Sequence, residues 1–253
     1  MTAKPSDPFF VGYFKKVPSD IKRLALAAGA GTVFFLAVMA LVLPLGAADP
    51  GPGRYANDLR GGVLTGVIDP LPYPILRVSA QNDSPARAIL LGGQQKFGVQ
   101  GQAGKIGANV VDVGGIFVRR GDLEMLLVTD TGIARHTETA AEFVPGPAED
   151  LGRWRLTGEI CDGKCYAGAM KPGTGLAHKA CANLCILTGL PPVLVMELPV
   201  EGAMVVLLAA EDGGPMPDSL YDMTAVPVEM EGTLERRDDL LIFRVDTGSA
   251  RRL

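Results

Sequence analysis

All four cysteines of the chain fall within 25 residues, as Cys161, Cys165, Cys181 and Cys185. They form two C-x3-C pairs on either side of a Pro172-Gly173-Thr174-Gly175 turn. His178 stands three residues before Cys181. On a helix, positions 178, 181 and 185 share one face, and Ala180 to Leu187 suits such a helix. Met170 adds a thioether. Thiolate, imidazole and thioether donors suit soft or borderline metals, copper or zinc. In an oxidising compartment the same thiols close two disulfides, in any of three pairings. Thiol–disulfide exchange is a third chemistry. The expectation is therefore disulfides among the four cysteines, with no cofactor. The alternative is copper or zinc held by reduced cysteines with His178 and Met170. Covalent haem needs C-x-x-C-H, and a Rieske cluster needs paired Cys-x-His and Cys-x-x-His boxes. Neither is present. The His and Met that follow the second cysteine of a binuclear copper site are replaced here by Ile186, Leu187 and Thr188.

Little else in the sequence is chemically suggestive. The other histidine, His136, reads as a solvated loop residue. Nucleophile-elbow, phosphate-loop, dinucleotide and His-Glu-x-x-His patterns are absent. Gly92, Gly93 and Gly98 have the wrong spacing for phosphate and read as turns. Glu149-Asp150 and Glu211-Asp212 lie in turn-rich sequence and read as solvated faces. No catalytic residue is expected. The net charge of -4 removes the electrostatic basis for nucleic-acid binding.

The elements that must position the cysteines form an internal repeat. Val111-Asp112-Val113-Gly114-Gly115-Ile116-Phe117-Val118-Arg119-Arg120-Gly121-Asp122-Leu123 parallels Val228-Glu229-Met230-Glu231-Gly232-Thr233-Leu234-Glu235-Arg236-Arg237-Asp238-Asp239-Leu240, an offset of 117 positions. Ile89-Leu90-Leu91 parallels Val206-Leu207-Leu208 at the same offset. Leu64-Thr65-Gly66-Val67-Ile68 parallels Leu156-Thr157-Gly158-Glu159-Ile160, but at an offset of 92. The second copy therefore carries about 25 extra residues, all within 161–205, the interval that holds the cysteines. The copies read as small all-β units, at 60–136 and at 153–253 with a Cys-rich insert at 161–190. Linkers are expected at 47–59 and 137–152. High Gly and Pro counts, 32 and 19, fit short strands and many turns. In size and hairpin order each unit resembles an oligonucleotide/oligosaccharide-binding (OB-type) barrel. That resemblance implies a mainly β protein with two tandem OB-like barrels. It implies no nucleic-acid ligand, and the acidic body with few aromatics argues against one.

Ahead of the repeat, Leu24 to Gly46 holds no charge and one hydroxyl, Thr32. The helix it predicts is long enough for a bilayer core. Five basic residues precede it, while Arg54 and Arg60 follow. That bias predicts a cytoplasmic N-terminus, residues 1–23, and periplasmic β units on a bacterial inner membrane, with a single crossing. Ala25 and Gly29, Ala27 and Gly31, and Ala28 and Thr32 are small residues four apart and would admit another helix. Phe9, Phe10, Tyr13 and Phe14 are predicted to lie in the membrane interface.

The stretch 161–195, with Met170-Lys171-Pro172-Gly173-Thr174-Gly175 and Gly189-Leu190-Pro191-Pro192-Val193, resembles that of bacterial membrane-anchored periplasmic proteins with a Cys-rich insert. Together these features predict a non-catalytic accessory subunit of a bacterial membrane complex of respiratory or photosynthetic electron-transport type. Its expected partners are other integral membrane subunits and the lipid bilayer. The alternative is a periplasmic copper or zinc carrier, or an assembly factor, acting through the insert.

Overall fold

The structure, a computed structural model, describes residues 17–46, 50–80, 85–106, 109–137 and 145–253. Phe9, Phe10, Tyr13 and Phe14 lie outside the described residues. The chain divides into two compact units, Met1–Asp49 and Pro50–Leu253. Helix α1 (Ser19–Gly46) begins five residues before the predicted start and takes in Lys22 and Arg23. Its segment Ile21–Leu43 has 23 residues, about 34 Å at helical rise, long and apolar enough to span a membrane. Ala25, Ala27, Ala28, Gly29, Gly31 and Thr32 are all exposed on it.

The second unit is mainly β. Strand β1 (Arg54–Ala56) lies inside the segment predicted as a linker and pairs with β5. Strands β2 (Val63–Asp69), β3 (Ile75–Val78), β4 (Arg87–Gly93), β5 (Val110–Arg120) and β6 (Leu123–Arg135) complete the first sheet, in the order β1-β5-β2-β3-β4-β6 with β5 also paired to β6. A short helix, α2 (Gln100–Gly104), joins β4 to β5. The second module holds β7 (Glu149–Asp162), α3 (Lys179–Leu187), β8 (Pro192–Val200), β9 (Ala203–Ala210), β10 (Pro227–Arg237) and β11 (Leu240–Arg252). Its five strands close into a barrel, β10-β11-β9-β8-β7.

The sequence repeat has a physical basis in these strands. β5 and β10 begin and end 117 positions apart, as do β6 and β11. Both hairpins turn through two residues, Arg120 opposite Leu123 and Arg237 opposite Leu240. The first turn residue has positive φ in each, Gly121 at 57° and Asp238 at 53°, and Asp tolerates that region better than most side chains. Gly115 and Gly232 allow the two strands of each hairpin to approach closely. A Cβ would come within 2.4 Å of the Leu127 carbonyl oxygen at the first and 2.2 Å of the Arg244 carbonyl oxygen at the second.

The two modules share a core. Leu90, Met125, Leu127 and Tyr73 of the first pack with Leu207, Ile242, Val193 and Tyr166 of the second. The contact is reciprocal. Asp122 accepts hydrogen bonds from the Met204 and Val205 amides of β9, at 2.9 and 3.3 Å. Its counterpart Asp239 accepts from the Ala88 amide of β4, at 2.7 Å. A buried ionic network lies beside this core. Arg77 pairs with Asp238 and donates to the Gly146 carbonyl at 3.0 Å. Arg237 pairs with Asp69 at 2.7 Å and with Glu235 at 2.8 Å.

His136 is not a solvated loop residue. It follows β6, donates its amide to the Val110 carbonyl at 2.9 Å, and sets Nδ1 2.9 Å from Asp112. The Thr65 hydroxyl donates to Asp112 at 2.6 Å. That bond, followed by the one to His136, holds the Asp112 carboxyl below its ordinary range. A depressed carboxylate stabilises the fold above its unfolded pKa, and the contribution is lost as pH falls through the folded value. The denaturation midpoints of wild type and Asp112→Asn are therefore expected to differ at neutral pH. They should converge as pH drops below about 4.

Candidate metal centre

The insert leaves the end of β7, and Asp162 is its anchor. The Asp162 side chain is fully buried. Its Oδ1 accepts the Cys165 amide at 2.8 Å, and its Oδ2 meets His178 Nε2 at 2.8 Å. One carboxylate thus fixes both ends of the excursion. The chain makes a π-helical turn at Cys165–Ala169 and a 3-10 turn at Leu176–His178, then enters α3. Cys181 and Cys185 are four apart on α3 and share a face. Gly189, with φ of 94°, ends that helix and lets Leu190 donate back to the Cys185 carbonyl at 2.9 Å.

The four cysteines are unbonded and divide three to one. Cys165, Cys181 and Cys185 cluster with Leu190. The ligand atoms of Cys165, His178 and Cys181 lie within 4.8 Å of one another, and so do those of Asp162, Cys165 and Cys185. Cys165 belongs to both sets and links His178 and Cys181 on one side to Asp162 and Cys185 on the other. Donors bound at about 2.0–2.3 Å to one ion lie at such mutual separations. Since Nε2 of His178 faces a carboxylate acceptor, it carries the proton in the neutral ring. Nδ1 then keeps its lone pair, the arrangement that metal-bound histidines favour.

Cys161 lies apart. Ile160 points into the barrel with Leu156, and strand alternation sends Cys161 to the other face, into the core shared by the modules. Burial pushes its thiol well above the ordinary range, and Glu159 adds to the shift. Such a thiol stays protonated and unreactive. Within the cluster, Cys165 donates to Cys185. That bond pulls Cys185 down to about 7 and raises Cys165.

Residues 93–100 of the first module complete the site, and nothing in the cysteine spacing pointed to them. Lys96 Nζ lies 2.8 Å from Cys181 Sγ, a contact that raises the Lys96 pKa. Lys164, whose pKa is lowered by burial, donates to the carbonyls of Gly93 at 2.8 Å, Gln95 at 2.5 Å and Gln94. The Gly98 amide donates to the Thr188 carbonyl at 2.9 Å, Gln100 Nε2 donates to the Gly189 carbonyl at 2.6 Å, and the Thr188 hydroxyl donates to the Lys96 carbonyl. A Cβ on Gly98 would fall 2.2 Å from the Gly189 carbonyl oxygen, backbone that cannot yield. Gly98→Ala is therefore expected to cost about 1–3 kcal/mol through overpacking. Faster hydrogen exchange at Leu190 and along α3 would report the loosened loop.

Met170 stands on the outside of the cluster. It is 42% exposed, and its Sδ lies 3.5 Å from Cys181 Sγ. A cavity of about 320 Å³ opens beside it, lined by Cys165, Tyr166, Met170 and Lys171 and flanked by Arg120. The structure thus brings His178, Met170, Cys165, Cys181 and Cys185 together and leaves Cys161 out. No known protein family, curated protein or solved structure matches the chain.

Proposed function

We propose that the chain is a membrane-anchored protein that holds a thiophilic metal ion, zinc(II) or copper(I), through Cys165, Cys181, Cys185 and His178. The observation that carries this reading is the convergence of three sulfurs with an imidazole whose other nitrogen is pinned by a buried carboxylate. Charge supports it. Once the three thiols give up their protons, they and Asp162 would set four negative charges against Lys96 and Lys164, a deficit of about two that a bound cation would offset. The residues of this chain orient the donors, exclude bulk water by burying Cys165 and Cys185, and balance charge.

The β modules are, in this reading, two OB-like units serving as a rigid mount. The support is that the strand neighbours of the first sheet, without β1, follow the same order as those of the barrel, with one parallel pair in each, β4 with β6 and β9 with β11. The compartment is the periplasm, from the basic residues that precede the uncharged stretch beginning at Leu24. A role as accessory subunit of a bacterial membrane assembly draws on a different feature, the exposed small residues of α1. Gly29 and Gly31 have open space around them for a neighbouring helix.

The test is elemental analysis of the full chain, purified in detergent under anaerobic reducing conditions. One zinc or copper ion per chain is expected. It should be lost on Cys165→Ser or Cys185→Ser and retained on Cys161→Ser. A chain that takes up neither metal and carries a Cys165–Cys185 disulfide would overturn the reading.

A further inference from the structure

We infer that Met170 is the ligand through which copper(I) enters and leaves the site, so that the cargo is copper(I) and not zinc. This rests on the metal-holding reading above and adds an identity and a direction to it.

Four observations carry the inference. Met170 leaves its thioether side chain substantially exposed beside the cluster. Its sulfur sits within co-ligation distance of Cys181. It lines the same cavity as the buried Cys165, so one opening leads past the thioether to that thiol. Finally, burial is graded along the sulfurs: Met170 exposed, Cys181 half-buried, Cys165 and Cys185 buried. The backbone holds this arrangement. Gly168, with φ of 119°, turns the chain out of the π-helical turn, and Gly173 packs back on the Cys165 carbonyl. Met170 is thereby kept in the wall of the cavity.

The donor type selects the metal. Zinc sites in proteins use thiolate, imidazole and carboxylate. Thioether sulfur is a ligand for copper(I). Transfer is then a ligand exchange without change of oxidation state. A copper–sulfur bond to Met170 forms as a bond to the donor breaks. Cys181 and Cys165 next bind as thiolates, each thiol releasing its proton to water, and the copper–Met170 bond persists until it breaks as the ion passes to an acceptor.

The experiment titrates the anaerobic, reduced full chain with copper(I) against a chromogenic copper(I) chelator, and with zinc(II) against a zinc chelator. Met170→Leu preserves volume. It is expected to lower copper(I) affinity or slow transfer to the chelator by at least about tenfold, while zinc binding stays unchanged. Selenomethionine-labelled chain should show a copper–selenium vector in X-ray absorption that Met170→Leu removes. Unchanged copper(I) affinity and transfer in Met170→Leu, or no copper–selenium vector, would overturn the inference. Zinc binding that depends on Cys165 and Cys185, with no copper(I) uptake, would overturn it and leave the metal-holding reading intact. Binding of neither metal would overturn both.

Discussion

Asp162→Asn is expected to keep the fold and lose about 10–100-fold in metal affinity, the range seen when the hydrogen-bond partner of a ligating histidine is removed. The two shapes are nearly identical, and the amide oxygen can still accept the Cys165 amide. The amide nitrogen then faces His178 Nε2. Two donors cannot meet, so the imidazole proton moves to Nδ1, the nitrogen that would otherwise offer its lone pair to a metal. The ring changes from a ligand to an obstacle. Asp162→Ala is a different experiment. It leaves the Cys165 amide and His178 Nε2 without their buried partner, and a loss of about 3–5 kcal/mol is expected. Against a total stability of about 5–15 kcal/mol, that threatens the second module as a whole. Thermal melts with and without metal separate the cases. Without metal, Asp162→Asn should melt like the metal-free wild type, and about 10–100-fold more zinc or copper(I) should be needed to raise its midpoint equally.

The second large effect belongs to the ionic network between the modules. Arg77→Ala is expected to cost about 3–5 kcal/mol, because it strips the partner from a charge that stays buried. The Arg77 side chain is 4% exposed and that of Asp238 9%, so water screens the pair little. The loss arises mainly from the orphaned Asp238 carboxylate. Adding Asp238→Asn to Arg77→Ala should therefore recover part of it, and Asn is tolerated at positive φ. A double-mutant cycle on urea denaturation midpoints is expected to give a coupling of about 1–3 kcal/mol. Additive losses would mean that the two residues act separately.

Much of the β architecture was legible in the sequence, because each repeated feature answers a local physical need. Gly115 and Gly232 stand where two backbones must touch. Gly121 and Asp238 stand where the chain must turn with positive φ. The apolar runs Ile89–Leu91 and Val206–Leu208 lie on strands that face both a module interior and the shared core. Helix α1 was legible from length and lack of charge, with its start displaced by one polar turn. Segment 47–59 was harder, since the three-residue strand β1 is too short to show alternation between its glycines and prolines.

The cluster was legible only in its donors. Even counting suggested pairs, yet alternation after the inward-facing Ile160 turns Cys161 into the core between the modules, while Cys165 lies beyond the end of that strand. That signal was present and outweighed by the symmetry of the two C-x3-C motifs. Asp162 carried no flag, because its partner His178 is 16 positions away across a turn. Lys96 lies 85 positions from Cys181, and no local pattern predicts that a loop of one module will reach into an insertion of the other.

The reciprocal hydrogen bonds of Asp122 and Asp239 make the surface between the halves self-complementary, the mark of an isologous contact between two copies of one chain. A single half carries both the carboxylate and the amide that receives it. Tethering the copies in one polypeptide frees them to diverge without losing each other. One copy carries an excursion bearing sulfurs, and the loop after β4 in the other packs against it. The asymmetry that permits chemistry here is thus mounted on a symmetric joint.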